Sequence, residues 1–170
     1  SPLHREFQVK LSKEEVLDKV FETVTFAKSF CDDVQWSPMD ATRTESEFLV
    51  EVVKIAIQAG ASTINIPDTV GYTAPKESAN IIKNLFLKIP ELKNIIVSTH
   101  CHNDLGMATA NSLAAVEAGA RQVECTINGL GERAGNTALE EVVMALKVRK
   151  DILPYKTNMI TNKLIQASRL

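Results

Sequence analysis

Residues 122–136 read QVECTINGLGERAGN, and the alternation at the start of this stretch decides what kind of sheet the chain builds. Glu124, Thr126 and Asn128 alternate with Val123, Cys125 and Ile127, and successive side chains of a strand point to opposite faces. One face of such a strand is polar near its end and the other is apolar. That suits a parallel barrel, whose inner side chains approach a site while the outer ones face helices.

The same unit recurs upstream. Strand-like runs at Val34 to Trp36, Thr63 to Ile66, Ile95 to Ser98 and Gln122 to Ile127 begin about 30 residues apart, the repeat of βαβ units. Helical patterns fill the gaps. Ser12 with Glu15, Thr44 with Glu47 and Thr137 with Glu140 read as capping boxes, each opening an amphipathic segment. Two helix ends echo one another, QAGASTIN and EAGARQVE, each placing a glycine before the next strand.

Strands alternating with helices, without a hairpin signal, predict an α/β fold with a parallel sheet. The sheet is either open and doubly wound or closed into a (β/α)8 TIM barrel, and in both cases sites form at the carboxyl ends of the strands. Four consecutive ends carry polar clusters: SPMDATRT, PDTVGYT, HCHNDLG and NGLGERAGN. A barrel brings all four to one mouth, whereas an open sheet uses mainly its switch point. A full barrel has eight strands and typically ~250 residues. The chain has 170 residues and four strand signals, so it reads as part of such a barrel.

Composition narrows the function classes. With 45% hydrophobic and 24% charged residues, the chain is ordinary globular material for one domain. A net charge of -2 provides no basic surface for nucleic acid or an anionic membrane. No run approaches the ~20 apolar residues of a membrane span, and the start, SPLHREFQVK, has no apolar signal region. Three widely spaced cysteines, an odd number, point to a reducing, cytoplasmic setting.

His100 and His102 lie two residues apart behind the apolar run Ile95 to Val97, so both side chains leave the strand on one face. Neutral imidazoles are common ligands of divalent transition metals, and two on one strand preset two coordination positions. The alternative is a pair of hydrogen-bonded imidazoles. Asp104 reads as a cap of the following helix or as an orienting partner. The glycines of NGLGERAGN imitate a dinucleotide fingerprint, but they follow the last strand and no acidic ribose reader comes after them. The loop instead delivers Glu132, Arg133 and Asn136 to the mouth, or Asn136 caps the last helix while Glu132 pairs with Arg133 in solvent.

Together, the segment from Val97 through Arg149 and INIPDTVGYTAP resemble the 2-isopropylmalate synthase family of metal-dependent TIM-barrel condensing enzymes and lyases. The resemblance runs over essentially the whole chain. It implies the second half of the catalytic barrel, strands 5 to 8, with the first half and a C-terminal leucine-sensing domain outside residues 1–170. It further implies a divalent metal (Mn²⁺ foremost, with Mg²⁺ or Zn²⁺ as alternatives) held by His100, His102 and Asn136, and a monovalent cation as activator. The family's aspartate ligand belongs to an Arg-Asp-Gly motif that this chain lacks.

Thr69 is implied to hydrogen-bond a 2-oxo acid carboxylate, acetyl-CoA to be the second substrate, and the full-length protein to be a homodimer. Met39 stands where the family usually has a glutamate that contacts substrate, a departure bearing on activity or substrate choice. Homocitrate, citramalate and methylthioalkylmalate synthases share the metal motif. Lyases of 3-hydroxy-3-methylglutaryl-CoA carry a cysteine in the glycine loop that GLGERAGN lacks. A half barrel acting only as a metal-binding or assembly unit is the non-enzymatic alternative.

Overall fold

The computed structural model describes residues 1–169. Helix α1 (Lys13–Lys28) leads to β1 (Gln35–Trp36), α2 (Ser46–Gln58), β2 (Thr63–Asp68), α3 (Pro75–Lys88) and β3 (Ile96–Cys101). Then come α4 (Ala108–Ala118), β4 (Gln122–Glu124), α5 (Leu139–Val148) and the short α6 (Leu164–Ala167). All pairings are parallel, and the spatial order β1-β2-β3-β4 equals the chain order. An order that never reverses has no topological switch point, the feature an open doubly wound sheet uses for its site.

The sheet is strongly curled. Three strand intervals of about 4.8 Å would put β1 and β4 roughly 14 Å apart in a flat sheet. Instead Gln35 Nε2 of β1 donates to Glu124 Oε1 of β4 at 2.5 Å, and Gln122 Nε2 donates to Gln35 Oε1 at 2.7 Å. The concave face therefore gathers the polar residues Gln35, Asn65, Ser98, Gln122 and Glu124. The convex face carries Ile64, Ile66 and Val97, which pack against Val53 and Ala56 of α2, Ile82 and Leu85 of α3 and Ala115 of α4. Burying each large aliphatic side chain there is worth about 1.5–3 kcal/mol.

Alternation thus sorts every strand, and β2, covered on both faces, is buried along its whole length. Two strands are shorter than the sequence suggests. Val34 precedes β1, and the chain leaves β4 after Glu124, returning to the sheet only through a bridge from Thr126 to Ala138.

Of the three expected capping boxes, one forms. Ser12 Oγ accepts from Glu15 N–H at 3.1 Å, and Glu15 Oε2 accepts from Ser12 N–H at 2.8 Å. At α2 the Thr44 hydroxyl donates to the Asp40 carbonyl at 3.0 Å, and the helix begins at Ser46. At α5 the Thr137 hydroxyl is buried against Ser112 Oγ at 2.8 Å, and the helix begins at Leu139. Thr44 is diverted to a carbonyl four residues back in its own loop, and Thr137 to a tertiary partner 25 residues away, which local spacing does not encode. Among the described residues no helix is long and apolar enough to cross a membrane.

Candidate metal centre

The site is built where β3 ends. His100 and His102 leave its concave side with ring centroids 4.9 Å apart and planes at 60°. His102 is buried, and its main chain is anchored by its N–H donating to the Asp68 carbonyl at 3.2 Å. Asn136 comes from the opposite side, since the loop after β4 folds back to form an antiparallel bridge between Asn136 and His102. That return is held by Asn136 N–H donating to Gly129 O at 2.8 Å and Asn103 N–H donating to Gly135 O at 2.9 Å. Gly131 makes it sterically possible: a Cβ there would run into the Asn136 side-chain amide.

Three buried atoms of this cluster have no hydrogen-bond partner in the protein: His100 Nδ1, His102 Nδ1 and Asn136 Oδ1. His100 Nδ1 faces Glu124 Oε2 at 3.0 Å; buried polar atoms are almost always satisfied, so the other two orphans, on His102 and Asn136, mark a place arranged for a further group. Two imidazoles and an amide oxygen suit a divalent cation with open positions. Burial, reinforced by the charges of His100 and Arg133, pushes the His102 pKa down, favouring the neutral ring that a ligand requires. Among the described residues no three His, Cys, Asp or Glu side chains converge as a ready metal cage. The donor set fits a metal with an amide oxygen among its ligands, and further donors would have to come from outside these residues.

Around this centre the strand-end loops are clasped together. Arg133 donates through Nε and Nη2 to the two carboxylate oxygens of Asp104, each at 2.8 Å, and from Nη2 to the Thr69 carbonyl at 2.8 Å. The Arg133 hydrogen bond pulls the Asp104 carboxyl below its ordinary value. Asp104 thus pairs with Arg133, and the N-terminal turn of α4 is capped instead by Asn103 Oδ1, which accepts from Ala108 N–H at 3.1 Å. Glu132 lies farther from Arg133, at 3.5 Å.

Thr69 is half-buried, and its hydroxyl accepts from Asp40 N–H at 2.8 Å. A hydroxyl that is accepting still has its own proton to donate. Asp68 next to it is saturated structurally, receiving Thr42 Oγ1, Thr73 Oγ1 and the N–H groups of Tyr72 and Thr73. Met39 is 56% exposed and borders a cavity of about 330 Å³ beside β1, lined by Trp36, Pro38 and Phe48 among others.

His100, His102 and Asn136 are thus brought together as the sequence suggests, with Thr69 on the neighbouring strand end. Sequence reasoning missed the link from Glu124 to His100, whose Oε2 and Nδ1 lie 3.0 Å apart. The signal available was the polar parity of β4 and β3 on one face. The partnership of Arg133 with Asp104 had no local signal, since 29 residues separate them.

Comparison with known proteins agrees with this construction. The HMGL-like family model matches residues 1–170. The 2-isopropylmalate synthases of Xanthomonas campestris pv. campestris and Rhodopirellula baltica are each 55% identical over all 170 residues, and that of Aquifex aeolicus is 53% identical over 171 aligned residues. The chain spans about a third (32–33%) of the length of these relatives. Among solved structures, a hydroxymethylglutaryl-CoA lyase from Pseudomonas aeruginosa superposes with a TM-score of 0.80 at 19% identity, over 99% of this chain and 58% of that one. The Brucella melitensis lyase gives 0.76 at 18% identity, covering 95% and 59%; at such identities the likeness concerns the fold. Parallel topology, curled sheet and full-length family match lead to one conclusion: the chain belongs to the HMGL-like family.

Proposed function

We propose that this chain is the metal-binding part of a 2-isopropylmalate synthase, a cytoplasmic enzyme that condenses acetyl-CoA with 2-oxoisovalerate to give 2-isopropylmalate and free CoA. The observation that carries this reading is 53–55% identity to proteins of that name across the entire chain. In the same reading the curled sheet is the second half, strands 5 to 8, of an eight-stranded barrel. The rest of the barrel would pair with the edges at β1 and β4 and cover the cavity beside Trp36 and Met39. A leucine-sensing domain and the partner subunit of a homodimer would also lie outside these residues.

His100, His102 and Asn136 would hold a divalent metal: Mn²⁺ first, with Mg²⁺ or Zn²⁺ as alternatives. Such an ion supplies Lewis-acid polarisation of a 2-oxo acid carbonyl. Thr69, already accepting from Asp40 N–H, has its hydroxyl proton free for the substrate carboxylate. Arg133 holds the Thr69 carbonyl and Asp104 together, so the loops after β2, β3 and β4 present one surface to the substrate. In the condensation the acetyl methyl gives up a proton, its carbon bonds to the keto carbon, and water cleaves the thioester to release CoA. The base that takes the proton is not assigned to a residue of this chain. A monovalent cation as activator completes the proposal.

Titration calorimetry on the full-length protein tests the centre. Mn²⁺ is expected to bind the wild type and to lose its binding heat in the His100→Ala, His102→Ala double variant, with CoA release from acetyl-CoA and 2-oxoisovalerate lost in parallel. Equal affinity in the two proteins would remove the metal assignment. A clear preference for 2-oxoglutarate or pyruvate would move the protein to the homocitrate or citramalate synthases.

A further inference from the structure

The concave face holds a polar cluster that the proposed chemistry leaves unused. Glu124 is at its centre. Its Oε1 accepts from Gln35 Nε2 at 2.5 Å, and its Oε2 accepts from Asn65 Nδ2 at 3.2 Å. Asn65 is 1% exposed and also donates to Ser37 Oγ at 2.9 Å. Gln35 is steadied in turn by Gln122, whose amide also reaches Ser98 Oγ at 3.1 Å. Side chains from all four strands and from the residue after β1 therefore fix one carboxylate in place.

The carboxylate is aimed at one basic group. Among the described residues His100 is the only basic side chain within 4 Å of Glu124, with Nδ1 and Oε2 at 3.0 Å and both side chains largely covered, at 24% and 31% exposure. The distance is that of a hydrogen bond, yet the ring N–H points off the line to the oxygen, leaving Nδ1 unpartnered. Hydrogen bonds at functional sites are often misaligned without ligand and tighten when it arrives. A modest rotation of the imidazole would align this one, because the acceptor cannot drift.

We infer that Glu124 is a positioning residue for His100: it keeps the proton on Nδ1, so that Nε2 carries the lone pair offered to the metal. A neutral imidazole has one N–H, and whichever nitrogen meets a carboxylate keeps it. Partners of this kind fix the ring's orientation and raise its basicity as a ligand. The inference rests on the metal-binding role of His100 proposed above, but the tautomer itself can be read without metal.

The Glu124→Gln variant removes this preference at nearly constant size. A carboxylate accepts on both oxygens, whereas an amide offers one oxygen and one NH₂. It cannot accept from Gln35, Asn65 and His100 together, and an NH₂ facing Nδ1 favours the opposite tautomer. In full-length protein with ¹⁵N-labelled histidine, the metal-free wild type should show His100 as the Nδ1–H tautomer, and Glu124→Gln should shift it towards Nε2–H. Mn²⁺ affinity should fall about 10–100-fold, the usual effect of losing an outer partner of a ligand.

Gln122→Ala cuts the same network without touching Glu124 or His100. It should leave the tautomer unchanged and the affinity within about twofold. If Glu124→Gln does not fold, Gln35→Ala replaces it: this frees one oxygen of Glu124 and should cost a few-fold in affinity. An unchanged tautomer in Glu124→Gln, or equal losses in Glu124→Gln and Gln122→Ala, would overturn the inference. A wild type that shows the Glu124-dependent tautomer but binds no metal would overturn the metal reading and leave the positioning intact.

Discussion

Ile64 and Asn65 are neighbours on β2, both almost inaccessible to water at 0% and 1% exposure, yet they belong to different regions. Ile64 enters the convex face, where the sheet meets α2, α3 and α4 in an apolar cluster. Asn65 enters the concave face, where its amide nitrogen serves Ser37 and Glu124 while Oδ1 has no partner. Burial is equal, but its energetic meaning is not. On the convex face it is the driving force of folding. On the concave face it imposes desolvation that hydrogen bonds only partly offset. The fold is held by one side of the sheet, and the other keeps its polar side chains paired with one another.

Truncating the two neighbours gives the widest separation. In the full-length protein, Ile64→Ala should lower the unfolding free energy by about 2–5 kcal/mol, the cost of a core cavity. Asn65→Ala should cost only ~1 kcal/mol, since it removes two hydrogen bonds together with an oxygen that was already unsatisfied. Urea unfolding of both variants measures the difference. Equal costs would mean that the concave face contributes to stability as a core does, and the division between the faces would fall.

The same division explains what could be read from residues alone. Convex residues repeat with the period of two, so Val97, Ile64 and Ile66 announced strands and their order, and helical spacing at Val52, Val53 and Ala56 announced α2. His100 and His102 were legible because parity places both on one face. Asn136 was suggested by the resemblance, since nothing local says that a loop returns to pair with β3. The caps at Thr44 and Thr137 were misread as well. Short polar side chains choose among competing partners: Thr44 turns back to the Asp40 carbonyl four residues away, and Thr137 takes Ser112, which lies outside any local window. Glu124 shows the limit of parity: it yields the face but not the neighbour across the curl.

Glycines at the mouth sharpen the comparison at a smaller scale. Gly71 has φ +62, and a Cβ there would lie 2.5 Å from Asp104 Oδ2 and 2.9 Å from the His102 carbonyl carbon. Gly106 has a similar φ of +71, and a Cβ added there would meet nothing within 4 Å. Both alanine variants incur the left-handed strain of about 1–2 kcal/mol, but only Gly71→Ala must also push apart the loops that hold His102 and Asp104. Gly71→Ala should therefore cost roughly 2–3 kcal/mol and weaken Mn²⁺ binding, while Gly106→Ala should stay near the strain alone with binding unchanged. Thermal unfolding together with calorimetry separates them. A Gly106 variant that loses metal as readily as the Gly71 variant would show that strain at the rim, rather than loop contact, controls the site.

The smallest effect contrasts Glu124 with a carboxylate outside the sheet. Glu45, just before α2, takes a two-pronged pair from Arg5 at 2.8 and 3.2 Å, and this pair brings its pKa down to about 2 from 4.5. A depressed carboxylate pKa stabilises the fold above the unfolded value of 4.5, and the contribution is lost as pH falls from there through about 2. Because the Glu45 side chain is 39% exposed, water screens most of the gain, which leaves under ~1 kcal/mol. Glu45→Gln should lower the melting temperature slightly at pH 7, and the gap from wild type should close between pH 4.5 and about 2. Added salt should shrink the same gap at pH 7, as it does for exposed pairs. A gap that persists unchanged below about pH 2 or at high salt would mean that Glu45 acts through packing at the start of α2 and not through its charge.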